Sequence, residues 1–452
     1  MSSPAISAAS LRARAFSMPD TYGSAEKVRL TEEALAARSQ VFTPSQLSDF
    51  MAKMLDLNSA AVKLLDPGAG AGSLSESAIA AAGRDVSVTL VERDRIFRSH
   101  LEDLLGQHAD EIAKDSEVVI ADFLVTAAAW LQSGRSFTHV IMNPPYQRIG
   151  KDSSERHLLK RMGVQTSNMY AAFLWLGMDL LSEGGQLVAV VPRSILSGAQ
   201  FRSVRQHLMR EGSLYRLHHF HSRKAVFRRD RVQQEVVVLG MQKGVRHKHV
   251  RYSWSDELDD LSEGHELLPA TRFSDGSADD VIVIPADVGV ETRASSSYRE
   301  TLIPEGISVS VGPVVDFRNR DYIHESATGG VPLIGSELFS SRRRPARRLN
   351  VNQATERFVM PKGLYIALRR ISPPETRPRL QAMMVDATSA EYEAGIAFEN
   401  HVLFIHRNRE GLSLSTCRLL LNYLTADDAQ RQIAERSGST QINVADVAAL
   451  RR

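Results

Sequence analysis

The chain has 452 residues, 43% hydrophobic and 24% charged, a globular composition at a length that predicts two domains and a large core. Its single cysteine, Cys417, excludes an internal disulfide, a cysteine-rich zinc site and a disulfide-stapled secreted protein, and it points to a reducing cytoplasm. Arg12 and Arg14 are followed by no apolar stretch, so no signal peptide is expected, and runs such as Leu187–Val191 fall far short of the roughly 20 residues that cross a bilayer.

The net charge of +2, from 55 basic and 53 acidic residues, taken alone argues against a polyanionic partner. Its distribution argues otherwise. Asp256 to Asp280 holds nine acids against Arg272, whereas Arg342 to Arg379 holds ten arginines and Lys362 against Glu356 and Glu375. That second stretch is the footprint of a polyanion-binding surface or, alternatively, a solvated arginine face.

In chain order, Ala61–Leu65, Val86–Val91, Glu117–Ala121, Thr138–Met142, Gln186–Val191 and Glu235–Gly240 are short Val/Ile/Leu-rich runs that close on polar, Gly or Pro residues. Continuous apolar runs suit strands covered on both faces, as in a mostly parallel sheet. Helical patterns lie between them, for example Asn168–Glu183 ahead of Gly184 and Gly185. This predicts a doubly wound α/β domain reaching about residue 245. After the acidic stretch the periodicity is irregular, with β-like pieces at Ile307–Val315, Leu364–Leu368 and His401–Ile405 and helix-like patterns over Ser415–Arg436, where Cys417 reads as a core residue. A second, mixed domain is expected over 246–452.

Chemistry concentrates at the strand ends. Asp66-Pro67-Gly68-Ala69-Gly70-Ala71-Gly72 follows a strand and precedes a helix, so its backbone can turn tightly and approach a ligand, although an isolated loop of this kind also serves as a packing turn. The next strand ends in Glu92, placed to accept hydrogen bonds from ribose hydroxyls at the switch point of such a sheet. The third ends in Asp122-Phe123, an acid and an aromatic suited to an adenine amino group and ring. The fourth runs directly into Asn143-Pro144-Pro145-Tyr146. The exocyclic nitrogen of adenine is a poor nucleophile because its lone pair is delocalised. The Asn143 oxygen and the Pro144 carbonyl, held by two prolines, can draw that amino group toward a tetrahedral form, with Tyr146 stacked on the base.

Together Asp66–Gly72, Glu92, Asp122-Phe123 and Asn143–Tyr146 resemble, in order, the motifs of the S-adenosylmethionine-dependent DNA amino-methyltransferases. Upstream, Val41-Phe42-Thr43-Pro44 precedes Leu47, Phe50, Met51, Met54 and Leu55 at helical spacing, with Thr43 as N-cap, Pro44 at N1 and Gln46 at N3 of an expected capping box. This segment is similar to the cofactor-contacting N-terminal motif of the gamma group of adenine-N6 enzymes of the type II restriction-modification kind. The resemblance implies a Rossmann-like class I methyltransferase domain over 1–245 and a C-terminal mixed α+β target-recognition domain over 246–452. It assigns Val41, Thr43, Asp66, Gly68, Gly70, Glu92, Asp122 and Phe123 to S-adenosyl-L-methionine, and Asn143, Pro144, Pro145 and Tyr146 to catalysis.

Ser167–Phe173 resembles the family's helix after the catalytic loop, or packs the core. Ala225-Val226-Phe227 resembles the element whose aromatic faces the flipped base, which makes Phe227 the counterpart of Tyr146 or an ordinary hairpin core residue. Arg148, Lys151 and Arg156, and Arg223, Lys224, Arg228, Arg229 and Arg231 around Phe227, are candidate phosphate contacts, as are Arg342, Arg343, Arg344, Arg347 and Arg348 in the basic run. Gly306–Arg320 and Arg436–Asn443 look like segments of recognition domains in such methyltransferases. His218, His219 and His221 lack a carboxylate or cysteine at ligand spacing, so no metal is expected.

The implied activity is methylation of adenine N6 in double-stranded DNA in the cytoplasm of a bacterium or by a phage-encoded enzyme, with a separate cognate endonuclease as a possible partner. The alternatives are another planar amino group (cytosine N4, ribosomal RNA guanine or a protein glutamine) and a DNA-binding protein with an inactive core.

Overall fold

The computed structural model describes residues 43–58, 61–83, 85–220, 235–261, 264–274, 280–285, 300–326, 328–340, 346–373, 376–437 and 440–452. The chain divides into two compact units, Met1–Val281 and Ile282–Arg452.

The first unit opens with helix α1 (Ser45–Ala52) and then alternates β1 (Val62–Pro67), α2 (Ser73–Ala82), β2 (Val86–Glu92), α3 (Arg98–Gln107), β3 (Glu117–Ile120), α4 (Phe123–Ser133) and β4 (Phe137–Met142). It continues through α5 (Ser154–Arg161), α6 (Met169–Leu180), β5 (Leu181–Pro192), α7 (Arg202–Glu211), β6 (Gly212–Phe220), β7 (Val236–Lys243), β8 (His249–Ser255) and β9 (Glu266–Pro269). These strands form one sheet in the order β3-β2-β1-β4-β5-β7-β6-β8-β9. β3 through β5 are parallel and β7 is antiparallel to its neighbours β5 and β6. This is the expected doubly wound α/β sheet, with the order of its parallel strands reversing between β1 and β4. The apolar runs are continuous because both faces are covered: Leu64, Val88, Val140 and Val188 are fully buried. α1 belongs to that core through Leu47 and Met51, which cluster with Leu64, Ile79 and Val88. Each such side chain stabilises the fold by about 1.5–3 kcal/mol.

Three expectations are corrected. The first unit extends past 245, because β8 pairs in parallel with β6 and β9 with β8, so the acidic stretch begins inside this sheet rather than after it. The helix expected over Asn168–Glu183 stops at Leu180: Leu181 turns extended (ψ 141°) and pairs with Phe137, and the glycine pair lies within β5, next to the register irregularity between Phe137 and His139. Thr43 does not cap α1. Pro44 occupies the N-cap position with ψ 145°, no side chain caps the helix, and Thr43 stands one residue further out.

The second unit is mixed α+β, as expected. It holds β10 (Ser308–Val311), β11 (Ile323–Glu325), β12 (Val331–Ile334), β13 (Arg347–Leu349), β14 (Val359–Met360), β15 (Gly363–Arg369), β16 (Ala382–Ala387), β17 (Ile396–Phe398) and β18 (Val402–His406), followed by α8 (Leu414–Thr425), α9 (Asp427–Arg436) and α10 (Val444–Ala448). The strands make a four-stranded sheet, β10-β18-β15-β16, and a five-stranded one, β11-β13-β12-β17-β14. Ser413 caps α8 by accepting from the Thr416 amide, and the helical pattern breaks at Ala426, whose ψ of 149° separates α8 from α9. Cys417 is fully buried among Leu420, Leu424 and Ile433. Among the described residues no helix is long and apolar enough to cross a membrane.

Candidate active site

The aligned register of the parallel strands brings the ends of β1, β2 and β4 to one sheet edge, where a cavity of about 610 Å³ opens. Its walls include Gly68, Gly70, Glu92, Asp122, Phe123 and the whole of Asn143–Tyr146. Motifs spread along some 80 residues of sequence therefore share one space.

The glycine loop is pinned from below. Gly68 and Ala69 amides donate to the Val91 carbonyl at 2.8 and 2.9 Å, and the Gly70 amide donates to Glu92 Oε2 at 2.9 Å. Gly68 (φ +78°) and Gly70 (φ +54°) adopt left-handed backbone, and a Cβ on Gly70 would meet nothing within 4 Å, so bare backbone faces the cavity there. Asp66 does not reach the cavity. It is wholly buried beneath the loop, where Ser75 Oγ donates to its Oδ2 at 2.7 Å, tying the end of β1 to the first turn of α2. Its other oxygen has no partner, and burial pushes its pKa up to about 7.

Glu92 lies at the tip of β2 with Oε1 accepting from the Asp94 amide at 2.8 Å, and burial raises its pKa above the usual carboxylate value. A carboxylate has about four acceptor sites, so two backbone bonds fix its orientation and leave capacity for ligand hydroxyls. Asp122 caps α4, accepting from the Leu124 amide at 2.9 Å, while Phe123 packs against Phe173 with ring centroids 4.7 Å apart, both rings lining the cavity.

Asn143 leaves β4 at its C-terminal end, and its Nδ2 donates to Thr43 Oγ1 at 3.1 Å. Pro144 is buried and Asn143 and Tyr146 are partly exposed. The Tyr146 hydroxyl donates to the Val190 carbonyl at 3.2 Å, its ring meets Tyr170 edge-on at 5.8 Å, and burial holds its pKa well above the usual phenol value. The loop that follows is fastened to the start of α6 by Ile149 N to Ser167 O (2.8 Å) and Met169 N to Gln147 O (2.9 Å). Ser167–Phe173 thus acts on the site, with Met169 and Phe173 among the lining residues. The segment after β2 was missed: Arg93, Asp94, Arg95 and Phe97 also line the cavity, and their signal was their place directly after a strand-tip acid.

Arg148 and Lys151 are exposed beside this loop. Arg347 and Arg348, expected at a nucleic-acid surface, turn inward. Arg347 pairs with Asp316 at 2.6 Å and Glu399 at 3.5 Å, and Arg348 donates to the Gly329 carbonyl at 2.6 Å and to Glu391 at 3.3 Å. Arg370 and Arg379, in the same run, donate to the Asn400 carbonyl and Ser437 Oγ. These guanidinium groups brace the second unit's own backbone and carboxylates. His218 is bonded to Ser253 Oγ and Ser255 Oγ at 2.8 and 2.9 Å, a packing role between β6 and β8. Val41, Arg223, Lys224, Phe227, Arg228, Arg229, Arg231, Arg342, Arg343 and Arg344 lie outside the described residues. A second cavity of about 690 Å³, lined by Gln186, Arg216, Lys248 and Arg251 and by Met54 and Leu55 from the segment after α1, contains none of the residues expected to hold the cofactor or act in catalysis.

Comparison with known proteins gives a consistent relationship. Residues 73–227 match the family model described as Eco57I restriction-modification methylase. The chain is 32% identical over 460 aligned positions to the type II methyltransferase M.BsuBI of Bacillus subtilis, covering 93% of this chain and 89% of that one. It is 27% identical to the type II methyltransferase M.PstI of Providencia stuartii, with 96% and 90% covered. Among solved structures, a DrdV–DNA complex has the same fold at a TM-score of 0.53 and 13% identity, over 83% of this chain and 50% of that chain.

Proposed function

Since the chain belongs to the type II methyltransferases of restriction-modification systems, a DNA methyltransferase family that uses S-adenosyl-L-methionine, we propose that it methylates adenine N6 at a specific site in duplex DNA. The observation that carries this reading is the convergence of the glycine loop, Glu92 and Asn143–Tyr146 on one cavity.

The residues present fit the methyl donor. Gly68 and Gly70 offer backbone without side chains, Glu92 offers a fixed carboxylate, and Asp122 with Phe123 offers a polar and an aromatic contact for a nucleoside. When bound, the donor supplies an electrophilic methyl group. The target base leaves the duplex stack to reach a pocket of this kind. Asn143 Oδ1 and the Pro144 carbonyl then accept hydrogen bonds from its amino group, which withdraws the nitrogen lone pair from the ring and aims it across the cavity. Pro144 and Pro145 hold those acceptors with little conformational freedom to lose. Tyr146, anchored through its hydroxyl to Val190, presents its ring as the stacking surface. The nitrogen becomes cationic as its new bond forms and then sheds a proton to solvent, so no base is needed before attack.

Adenine is favoured because the order of motifs, with Val41–Pro44 ahead of the glycine loop and a second unit behind, resembles the gamma adenine-N6 group. We place recognition of the DNA site in the second unit. The enzyme would protect DNA in the cytoplasm of a bacterium or phage-infected cell, with a separate endonuclease as partner.

The test is transfer of labelled methyl groups to duplex DNA, followed by digestion to nucleosides. N6-methyladenine is expected, and N4-methylcytosine, or label only in RNA or protein, would overturn the reading. Asn143→Ala should abolish transfer while cofactor binding is retained.

A further inference from the structure

We infer that Thr43 is a positioning residue that fixes the Asn143 side-chain amide in the orientation amino-group activation requires. This inference rests on the catalytic role proposed above for Asn143. The two residues are 100 positions apart and belong to different elements, yet Asn143 Nδ2 donates to Thr43 Oγ1 at 3.1 Å.

An asparagine amide has two nearly isosteric orientations that exchange its donor and acceptor arms. Only one directs Oδ1 at the substrate amino group; the other sets NH₂ against NH₂. A threonine hydroxyl can bond either arm, and the observed direction has Nδ2 donating, which turns Oδ1 away from Thr43. Both ends of the bond are mechanically fixed. Thr43 is buried at 6% exposure, and Pro44 sets the backbone between it and α1 at φ −58°, ψ 145°. α1 is in turn locked by fully buried Leu47 and Met51 and by Ser77 Oγ donating to Asp49 Oδ1 at 2.6 Å. On the other side, Asn143 sits between buried Met142, paired with Ala189 in the sheet, and buried Pro144. The hydroxyl that the sequence suggested as a helix cap is thus spent on the catalytic loop, and the segment before α1 completes the active site.

The decisive variant is Thr43→Val, which keeps the shape and removes the polar atom. With cofactor and DNA both saturating, kcat should fall about five- to tenfold, the scale of one neutral hydrogen bond. Thr43 is not among the residues lining the cavity, contrary to the cofactor contact expected of it, so the cofactor dissociation constant should stay within about twofold, and Thr43→Ser should restore kcat to within about twofold. An unchanged kcat in Thr43→Val would overturn the inference. So would a loss expressed wholly as weaker cofactor binding, or a Ser variant as impaired as the Val variant. If Thr43→Val folds poorly, Thr43→Cys, a weaker acceptor of similar size, should show the same split at smaller amplitude. A wild-type enzyme that modifies no DNA base would instead refute the proposed function.

Discussion

Asp66 offers the sharpest quantitative test of the loop architecture. Its carboxyl is wholly buried, accepts from Ser75 through Oδ2, has a second oxygen without a partner, and is pushed by burial from an ordinary value of 3.8 to about 7. Because its pKa is higher in the folded state than in the unfolded chain, the folded form binds the proton more tightly. Its contribution to stability is therefore fully present below about pH 4 and is lost as pH rises through about 7. Each pKa unit corresponds to about 1.4 kcal/mol, so the penalty is roughly 1.6 kcal/mol at pH 5 and roughly 4.4 kcal/mol at pH 8.5. Asp66→Asn cannot titrate. Its new Nδ2 introduces a burial cost of its own, but that cost is the same at both pH values and cancels in the difference.

The assay is thermal unfolding of wild type and Asp66→Asn at pH 5 and pH 8.5. The Tm of the variant relative to wild type should be higher at pH 8.5 than at pH 5 by the equivalent of about 3 kcal/mol, or about 5 °C for a unit of this size. Neighbouring groups such as Glu92, itself raised by burial, titrate in both proteins and contribute little to the comparison. A relative Tm that does not change with pH, or that falls as pH rises, would refute the reasoning.

Four further outcomes follow from the site and the second unit. Glu92→Ala should weaken cofactor binding, measurable by calorimetry, because it removes both the hydroxyl acceptor and the anchor of the Gly70 amide. Arg347→Ala should destabilise the second unit by about 1–3 kcal/mol, read as a lowered Tm, because buried Glu399 would keep only His401 and the Ser336 amide as partners. Arg148→Ala, at an exposed position, should leave Tm unchanged, weaken DNA binding, and reduce the slope of log K against log salt by about one. Gly72→Ala should lower stability by about 1 kcal/mol or more, because φ is +77° and the added Cβ would come within 2.9 Å of Leu104.

The strand ends were legible in the sequence because each is marked by residues with a strong local reason to be there. Glycines mark the loop after β1, acids mark the ends of β2 and β3, and prolines mark the turn after β4. The continuous apolar runs between them then fix a doubly wound sheet, and such a sheet gathers those ends at one edge. In the second unit the β-like pieces fall on β10, β15 and β18 and the helix-like stretch on α8 and α9, but the sheet order was not legible. That unit's strands are short, and two of its sheets' pairings join segments far apart in sequence, such as β12 with β17 and β10 with β18, which local periodicity does not register.

Two misreadings have the same physical origin. Arg347 and Arg348 were read from the local charge density of the basic run, but a charge is neutralised in space rather than in sequence. The acids that receive Arg347 and Arg348 lie 31 residues upstream at Asp316 and 52 and 43 residues downstream at Glu399 and Glu391, so no window on the run contains them. Thr43 was read as a cap because threonine before a helix usually caps it. Pro44 has no amide hydrogen and φ near −65° is built into its ring, so it can take the N-cap position itself and release the hydroxyl for a distant partner. In both cases a polar group with an adequate local explanation was claimed by a long-range one. Among the described residues, candidate DNA contacts are therefore better sought by exposure, as with Arg148 and Lys151, than by density along the chain alone.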